Sequence, residues 1–165
     1  MMRILRRPLA IARILLGMLF VVKGAEKLAN LDFIYGGLML ALEEAGRPFP
    51  FYESVLVNYV DAHQMFFTYL VVLGQLLLGL SFATGAFVSL SSAAGAFMLL
   101  NIALATSYGA PGRLAAYLAG AAVLVLMGRL GAGLTWGVDR WLVKRSRSTL
   151  VLLPLRRTVP AFQKS

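Results

Sequence analysis

The chain lacks cysteine and contains a single histidine among its 165 residues. Without thiols it can form no disulfide, no iron–sulfur cluster, no cysteine-ligated zinc site and no thiol nucleophile. One imidazole per chain also excludes a bis-histidine haem within a single copy. No Walker loop, dinucleotide fingerprint or Ser–His–Asp order is present. We therefore expect no metal site and no intrinsic cofactor.

Charged residues are also scarce, at 14%, whereas 59% of the residues are hydrophobic and the mean hydropathy is +0.78. A soluble domain has roughly 25% charged residues. Crossing about 30 Å of hydrocarbon takes roughly 20 apolar residues in a helix. Four segments of this kind cover residues 8–28, 65–83, 87–106 and 114–130. The pattern predicts an all-α polytopic membrane protein, a bundle of four transmembrane helices.

The formal net charge of +9 is distributed unevenly along the chain. Residues 1–13 hold four arginines, and residues 129–165 hold eight basic residues and one acid. The loop 28–64 holds five acids and one arginine. Because basic segments remain in the cytoplasm, we expect both termini there and the loop outside. We divide the chain into a membrane domain, 1–142, and a basic cytoplasmic tail, 143–165, which we expect to bind anionic lipid rather than nucleic acid.

The loop between the first two spans has an amphipathic pattern. Asn30 is a suitable N-cap for a short helix on the outer membrane surface. The apolar residues that follow at helical spacing are Leu31, Ile34, Tyr35, Leu38 and Leu42. Two prolines predict an extended segment at 47–50, and the aromatic residues of 52–59 predict a second interfacial turn. His63 is interpreted as an interfacial hydrogen-bonding residue.

The first span carries the most informative polar pattern. Five of its residues follow one another at spacings of four, three, four and three, and they therefore share one helix face: Arg13, Gly17, Phe20, Gly24 and Lys27. Lys23 lies one turn before the last of them. Cations in a membrane helix can extend to the headgroups or pair with an acid such as Glu26, or they can bind a polar ligand. A structural role, at the headgroups or in an ion pair, and a role in ligand binding both stay open at this stage.

Two amides lie in the middle spans, Gln75 in the second and Asn101 in the third. A lone amide facing lipid is unfavourable, so both are expected to face the bundle. They can donate to and accept from each other, which makes an interhelical hydrogen bond between them one interpretation. Contact with a ligand is the other.

The sequence pattern formed by several of these residues resembles that of the DoxX/DoxD family of small bacterial membrane proteins. The resemblance rests on four segments: Arg13-x-x-x-Gly17-x-x-Phe20-x-x-x-Gly24-x-x-Lys27-Leu28, the prolines Pro48 and Pro50, Gly74-Gln75-x-x-x-Gly79-x-x-x-x-x-Gly85, and the ending Gly133 to Leu142. It implies a four-helix bundle in the bacterial inner membrane. The named DoxD members belong to a thiosulfate:quinone oxidoreductase. Relatives often have Glu where this chain has Gln75.

The resemblance implies a quinone-linked, redox-associated membrane subunit, with quinone as the candidate cofactor. Polar groups are needed for the quinone carbonyls. The candidate contacts are Arg13, Lys23, Lys27, Gln75 and Asn101. Since the chain has no electron carrier of its own, electrons would come from a partner. The alternative is a non-catalytic accessory subunit of a larger respiratory or photosynthetic complex, bound to other membrane subunits or to further copies of itself. A small-molecule transporter ranks third, because no inverted repeat is visible.

Overall fold

The computed structural model describes the backbone of residues 2–141 and the side chains of residues 7–141. This part contains six α-helices and no strand. The helices are α1 (Met2–Ala29), α2 (Leu38–Ala45), α3 (Pro50–Val55), α4 (Gln64–Thr84), α5 (Val88–Thr106) and α6 (Pro111–Arg129). Four of them are long and apolar enough to span a membrane. The predicted all-α bundle with four spans is confirmed, and the predicted tail, 143–165, lies outside the described residues.

The four long helices run alternately up and down. The connections from α4 to α5 and from α5 to α6 are too short to cross the bundle, and α1 is antiparallel to α4, since Gly17 packs against Gly79 and Gly24 against Leu76. We call the side of the bundle that holds the α4–α5 turn and the end of α6 the terminal side. The opposite side, which holds residues 30–63, is the loop side. The turn between α4 and α5 is tight, as predicted, and Gly85 adopts the left-handed backbone there (φ +72°).

Glycine permits the close packing of α1 against α4. A Cβ at Gly79 would lie 2.7 Å from the backbone nitrogen of Val21, and one at Gly17 would lie 2.8 Å from the carbonyl oxygen of Gly79. A Cβ at Gly24 would lie 2.8 Å from the Leu76 side chain. Small residues let helix backbones approach in a bilayer, where packing replaces the hydrophobic effect as the driving force. The glycine spacing of the first span is therefore a packing seam.

The buried core joins all four long helices on the terminal half of the bundle. Phe82 and Val88 are fully buried at its centre. The other buried members are Leu78, Ala96, Ala121, Leu124, Met127 and Ala132, and α1 packs Leu9, Ala12, Leu16 and Phe20 against them. A smaller cluster on the loop side contains Leu38, Leu56, Val60 and Ala105. The second cluster attaches the loop to the bundle.

The predicted outer helix begins as expected and is then interrupted. Asn30 accepts a hydrogen bond from the Phe33 N–H at 3.2 Å through its side-chain oxygen, which confirms the N-cap. A π-turn, Phe33–Gly37, follows, and the helical path breaks at Gly36 before α2 begins. The amphipathic segment is thus two short pieces, because its glycine pair interrupts the run.

The predicted extended segment at 47–50 packs against the loop-side end of α5. The Phe49 N–H donates to the Leu104 carbonyl at 3.0 Å, and the Tyr108 N–H donates to the Arg47 carbonyl at 3.0 Å. Arg113 donates to the carbonyl oxygens of Thr106, at 2.8 Å, and of Ala45. The loop is therefore hydrogen-bonded to the bundle at several points.

The last span ends one residue before its predicted limit of 130. It stops at Arg129, and a left-handed Gly131 leads into a 3₁₀ turn, Ala132–Leu134. The glycine-rich stretch 131–133 therefore follows directly on the end of the last span. We call residues 130–141 the elbow, since they turn back under the bundle on the terminal side.

A test of the packing seam compares two glycines of the same helix. Gly79→Ala places a Cβ against the α1 backbone, so we expect it to lower the free energy of unfolding by about 1–3 kcal/mol. At Gly74 an added Cβ meets nothing within 4 Å, so Gly74→Ala should be neutral or stabilising by up to about 1 kcal/mol. Thermal unfolding in detergent measures both. Equal destabilisation by the two variants would contradict the seam.

Candidate functional site

The most constrained polar group lies at the terminal side, where Arg13 is fully buried. Its Nη1 donates to the Ala132 carbonyl at 3.2 Å, and its Nη2 donates to the Trp136 carbonyl at 3.2 Å. Its Nε has no hydrogen-bond partner. The interpretation in which Arg13 extends to the headgroups is wrong, because the elbow closes over the guanidinium and supplies carbonyl acceptors in place of water.

Asp139 of the elbow is also fully buried and caps the start of α5. Its carboxylate oxygens accept hydrogen bonds from the Phe87 N–H at 2.6 Å and the Val88 N–H at 3.1 Å. These are among the N–H groups that a helix N-terminus leaves without a helical partner. Burial raises the pKa of Asp139 above its ordinary value, while the two N–H donors and the positive charge of Arg13 act to lower it.

The two buried charges act on one another without direct contact. Each uses backbone groups as hydrogen-bond partners, and the Arg13 charge stabilises the Asp139 carboxylate through space. A Cβ at Gly85 would overlap the Arg13 guanidinium, and a Cβ at Gly133 would overlap the Asp139 carboxylate. We call the unit of Arg13 and Asp139 with their backbone partners the terminal clamp.

Two aromatic residues held by the clamp have left-handed backbones. Phe87 has φ +54° and Trp136 has φ +52°, and they are the two non-glycine residues with positive φ in the described part of the chain. This conformation costs of order 1–3 kcal/mol for a residue with a side chain. The Phe87 N–H binds Asp139, and the Trp136 carbonyl binds Arg13. The clamp therefore holds both residues in strained positions.

The two predicted lysine contacts lie at the other end of α1. Lys23 forms an exposed ion pair with Glu26 at 2.8 Å, which is the pairing that the sequence left open. The Nζ of Lys27 lies 5.3 Å from the centroid of the Phe33 ring, a cation–π contact. Fourteen residues separate Lys27 from Arg13, or about 21 Å along a helix. The structure thus does not bring Arg13 together with the lysines.

The predicted hydrogen bond between the two amides is wrong. Asn101 accepts from the Tyr52 hydroxyl at 2.7 Å and donates to the Phe97 carbonyl at 2.8 Å. The Oε1 of Gln75 is buried and has no hydrogen-bond partner. The loop supplies the partner of Asn101, and burial raises the pKa of Tyr52 above its ordinary value.

An open cleft of about 340 Å³ lies on the loop side, between the π-turn and α2. Its lining includes the carboxylates of Asp32 and Glu44 and the ring of Phe33. Within the described residues, no three His, Asp or Glu side chains come close enough together to bind a metal ion. The cleft is acidic but lacks the geometry of a metal centre.

Comparison with known families settles the identity of the bundle. The DoxX family model matches residues 9–109, more than half of the chain. The chain belongs to the DoxX family. No curated protein and no solved structure matches it. Together with the four apolar helices, the match identifies a multi-pass membrane protein.

The DoxX match begins within α1 and ends after α5, at residue 109. It includes neither α6 nor the elbow, so the resemblance of the ending at 133–142 stays a prediction. Asp139 in that ending was not among the candidate site residues. One signal in this DoxX sequence could have pointed to Asp139. Asp139 is the sole acid after Asp61, and it is therefore the candidate for the compensating charge that a buried arginine needs. Tyr52 gave no such signal, because its partner lies 49 positions away in the sequence.

The terminal clamp of this DoxX protein can be tested by removing its charges singly and together. Arg13→Gln or Asp139→Asn alone leaves one buried charge uncompensated, so each should cost about 3–5 kcal/mol of unfolding free energy. The double variant should lose less than the sum of the two. Arg129→Gln, at an exposed residue, is the control and should change stability by less than about 0.5 kcal/mol. Strict additivity in chemical denaturation would show that the charges are not coupled.

Proposed function

We propose that this DoxX protein is a quinone-linked, redox-associated membrane subunit. The observation that carries the proposal is the amide of Gln75, whose Oε1 is buried without a partner in the middle of α4. A buried polar atom without a partner is costly. Among the described residues, the Oε1 of Gln75 shares this state with Arg13 Nε and with the hydroxyls of Ser92 and Ser107, and it is the one that belongs to an amide in the middle of a span. The other glutamine of α4, Gln64, does have a protein partner, since its Nε2 donates to the Gly36 carbonyl at 3.1 Å.

An amide side chain suits both redox forms of a quinone. Its N–H₂ group can donate to a quinone carbonyl, and its oxygen can accept from the hydroxyl of the quinol. Bound quinone would supply two-electron chemistry coupled to protons. The role of Gln75 is to bind and orient the head group. Because Gln75 cannot ionise, it would not itself exchange protons with the quinol.

Access to Gln75 from the bilayer is supported by its neighbours on α4. Open space adjoins Gly74, since an added Cβ there would meet nothing within 4 Å. Gln75 itself is half-buried, so part of its side chain is accessible although its Oε1 is buried. An apolar ring from the lipid phase can therefore approach this part of α4, and quinone sites combine such apolar surface with a few polar groups.

The other predicted contacts divide into two groups. Lys27 lies toward the loop side on the helix that packs against α4, and it is the cation that we assign to the same quinone site. Arg13 and Asn101 already donate to protein carbonyls, and Lys23 is paired with Glu26. Electrons would come from a partner subunit, because the sequence has no cysteine and a single histidine.

Replacing Gln75 tests the proposal. Gln75→Leu removes both the donor and the acceptor, and we expect the quinone content of the purified protein to fall about tenfold. Gln64→Leu is the matched control, since the same amide in the same helix is occupied by a backbone carbonyl, and it should retain the bound quinone. Solvent extraction and chromatography quantify the quinone. Equal content in the two variants would contradict the role of Gln75.

The alternative function is a non-catalytic accessory subunit of a larger respiratory or photosynthetic complex. It is equally compatible with the absence of an electron carrier, since both functions require a partner. The two differ in whether Gln75 affects bound quinone. Wild-type protein that purifies with a stoichiometric partner but without quinone would favour the accessory function.

We further propose that the terminal side faces the cytoplasm of the bacterial inner membrane. In the sequence, the segments that flank the first and last spans are strongly basic: residues 1–13 hold four arginines, and residues 129–165 hold eight basic residues. The loop side exposes two arginines, Arg47 and Arg113, together with five acids: Asp32, Glu43, Glu44, Glu53 and Asp61. An excess of arginine on one side of the spans favours cytoplasmic retention of that side.

The absence of cysteine makes this orientation directly testable. Arg47→Cys introduces a single thiol on the loop side, and Arg140→Cys introduces one on the terminal side. In intact cells a membrane-impermeant maleimide should label the loop-side thiol alone. Lysed cells, in which both thiols are labelled, are the control. Labelling of Arg140→Cys in intact cells would reverse the orientation.

A further inference from the structure

The elbow and the adjoining start of α5 present a group of exposed apolar side chains on the terminal side. Phe87 is 47% exposed, Trp136 is 60% exposed and Trp141 is 58% exposed. Leu130 and Val138 add exposed aliphatic surface, at 45% and 43%. We call these five residues the elbow surface. It lies beside the ends of α4 and α6, where the membrane-spanning segments finish.

The terminal clamp determines where the aromatic residues of this surface lie. Phe87 and Trp136 both have left-handed backbones, and both are hydrogen-bonded to a clamp residue through the backbone. These hydrogen bonds involve only the backbone, and the rings of both residues are exposed. Non-glycine residues persist in this conformation only where surrounding contacts impose it, and such residues concentrate at binding sites.

The charge around the elbow surface has one sign. Arg129 ends α6 and is exposed, and Arg140 follows in the elbow and is also exposed. The acid of the elbow, Asp139, is fully buried and its oxygens are occupied by N–H groups. The surface available to a ligand therefore combines aromatic rings with guanidinium groups and has no accessible carboxylate in the elbow.

We propose that the elbow surface binds the headgroups of anionic phospholipid in the leaflet on the terminal side. Tryptophan and phenylalanine favour the boundary between acyl chains and headgroups. Arginine binds phosphate with charge-assisted hydrogen bonds, and anionic lipid provides charge complementarity. This inference is independent of the quinone proposal, since it uses none of the residues around Gln75.

The sequence provides a built-in probe of this surface. Trp136 and Trp141 are the two tryptophans of the chain, so its tryptophan fluorescence arises entirely from the elbow. In a Trp141→Phe variant the signal comes from Trp136 alone. The full chain can be reconstituted in mixed vesicles of phosphatidylcholine and phosphatidylglycerol, with bromine on one lipid or the other at equal mole fractions. Bromine quenches tryptophan on contact.

We expect brominated phosphatidylglycerol to quench Trp136 at least roughly twofold more strongly than brominated phosphatidylcholine. Replacing the two exposed arginines beside the elbow surface, Arg129→Gln with Arg140→Gln, should reduce the preference by at least roughly half while leaving quenching itself, since the basic residues of the tail are unchanged. Arg47→Gln, at an exposed arginine of the loop side, is the matched control and should retain it. Raising the salt concentration should weaken the preference for phosphatidylglycerol, because the contact between arginine and lipid phosphate lies at the boundary with water.

Two results would overturn the proposal. Equal quenching by the two lipids in the Trp141→Phe variant, with all arginines unchanged, would show that the surface contacts lipid without recognising its charge. Weak quenching by both lipids would show that the elbow surface is covered by protein, either a second copy or another subunit. The double arginine substitution changes exposed residues only. A reduced preference in a variant whose helical circular dichroism is unchanged therefore supports the proposal, because misfolding is excluded as its cause.

Discussion

The burial of one guanidinium group determines how the terminal half of the molecule is arranged. Arg13 lies within a membrane-spanning helix, and there it can be stable only with acceptors and a compensating charge. The elbow provides both: two carbonyls as acceptors, and Asp139 as the charge. Because Asp139 in turn needs donors, it takes the first N–H groups of α5. Three separate segments are thereby joined around one cation.

A second arginine makes a similar connection on the loop side. Arg113 donates to the carbonyls of Ala45 and Thr106, at the ends of α2 and α5. Helix C-termini carry carbonyls without helical partners and a partial negative charge, which attract a cation. The two arginines thus attach the non-spanning segments to opposite ends of the bundle. The glycine seam then brings α1 against α4 between them.

The features that the sequence predicted well are those with a strong local signal. The four spans follow from length and composition, and the N-cap at Asn30 follows from its position before an apolar run. The position of Arg13 could not be predicted locally, since extension to the headgroups and burial use the same helix face. The Asn101 amide was assigned to the wrong partner because Tyr52 approaches through tertiary folding of the loop. Gln75 was correctly expected to face inward.

This DoxX protein consequently has two kinds of buried polar group. Those of the terminal clamp are almost fully satisfied and hold the fold, while the Gln75 amide oxygen lacks a protein partner and underlies the quinone proposal. The clamp is the central claim, and hydrogen exchange at the amides of Phe87 and Val88 tests it most directly. We predict slow exchange in the wild type and selective acceleration in Asp139→Asn, with the amides of α4 unchanged. Equally fast exchange of both amides in the two proteins would contradict the clamp.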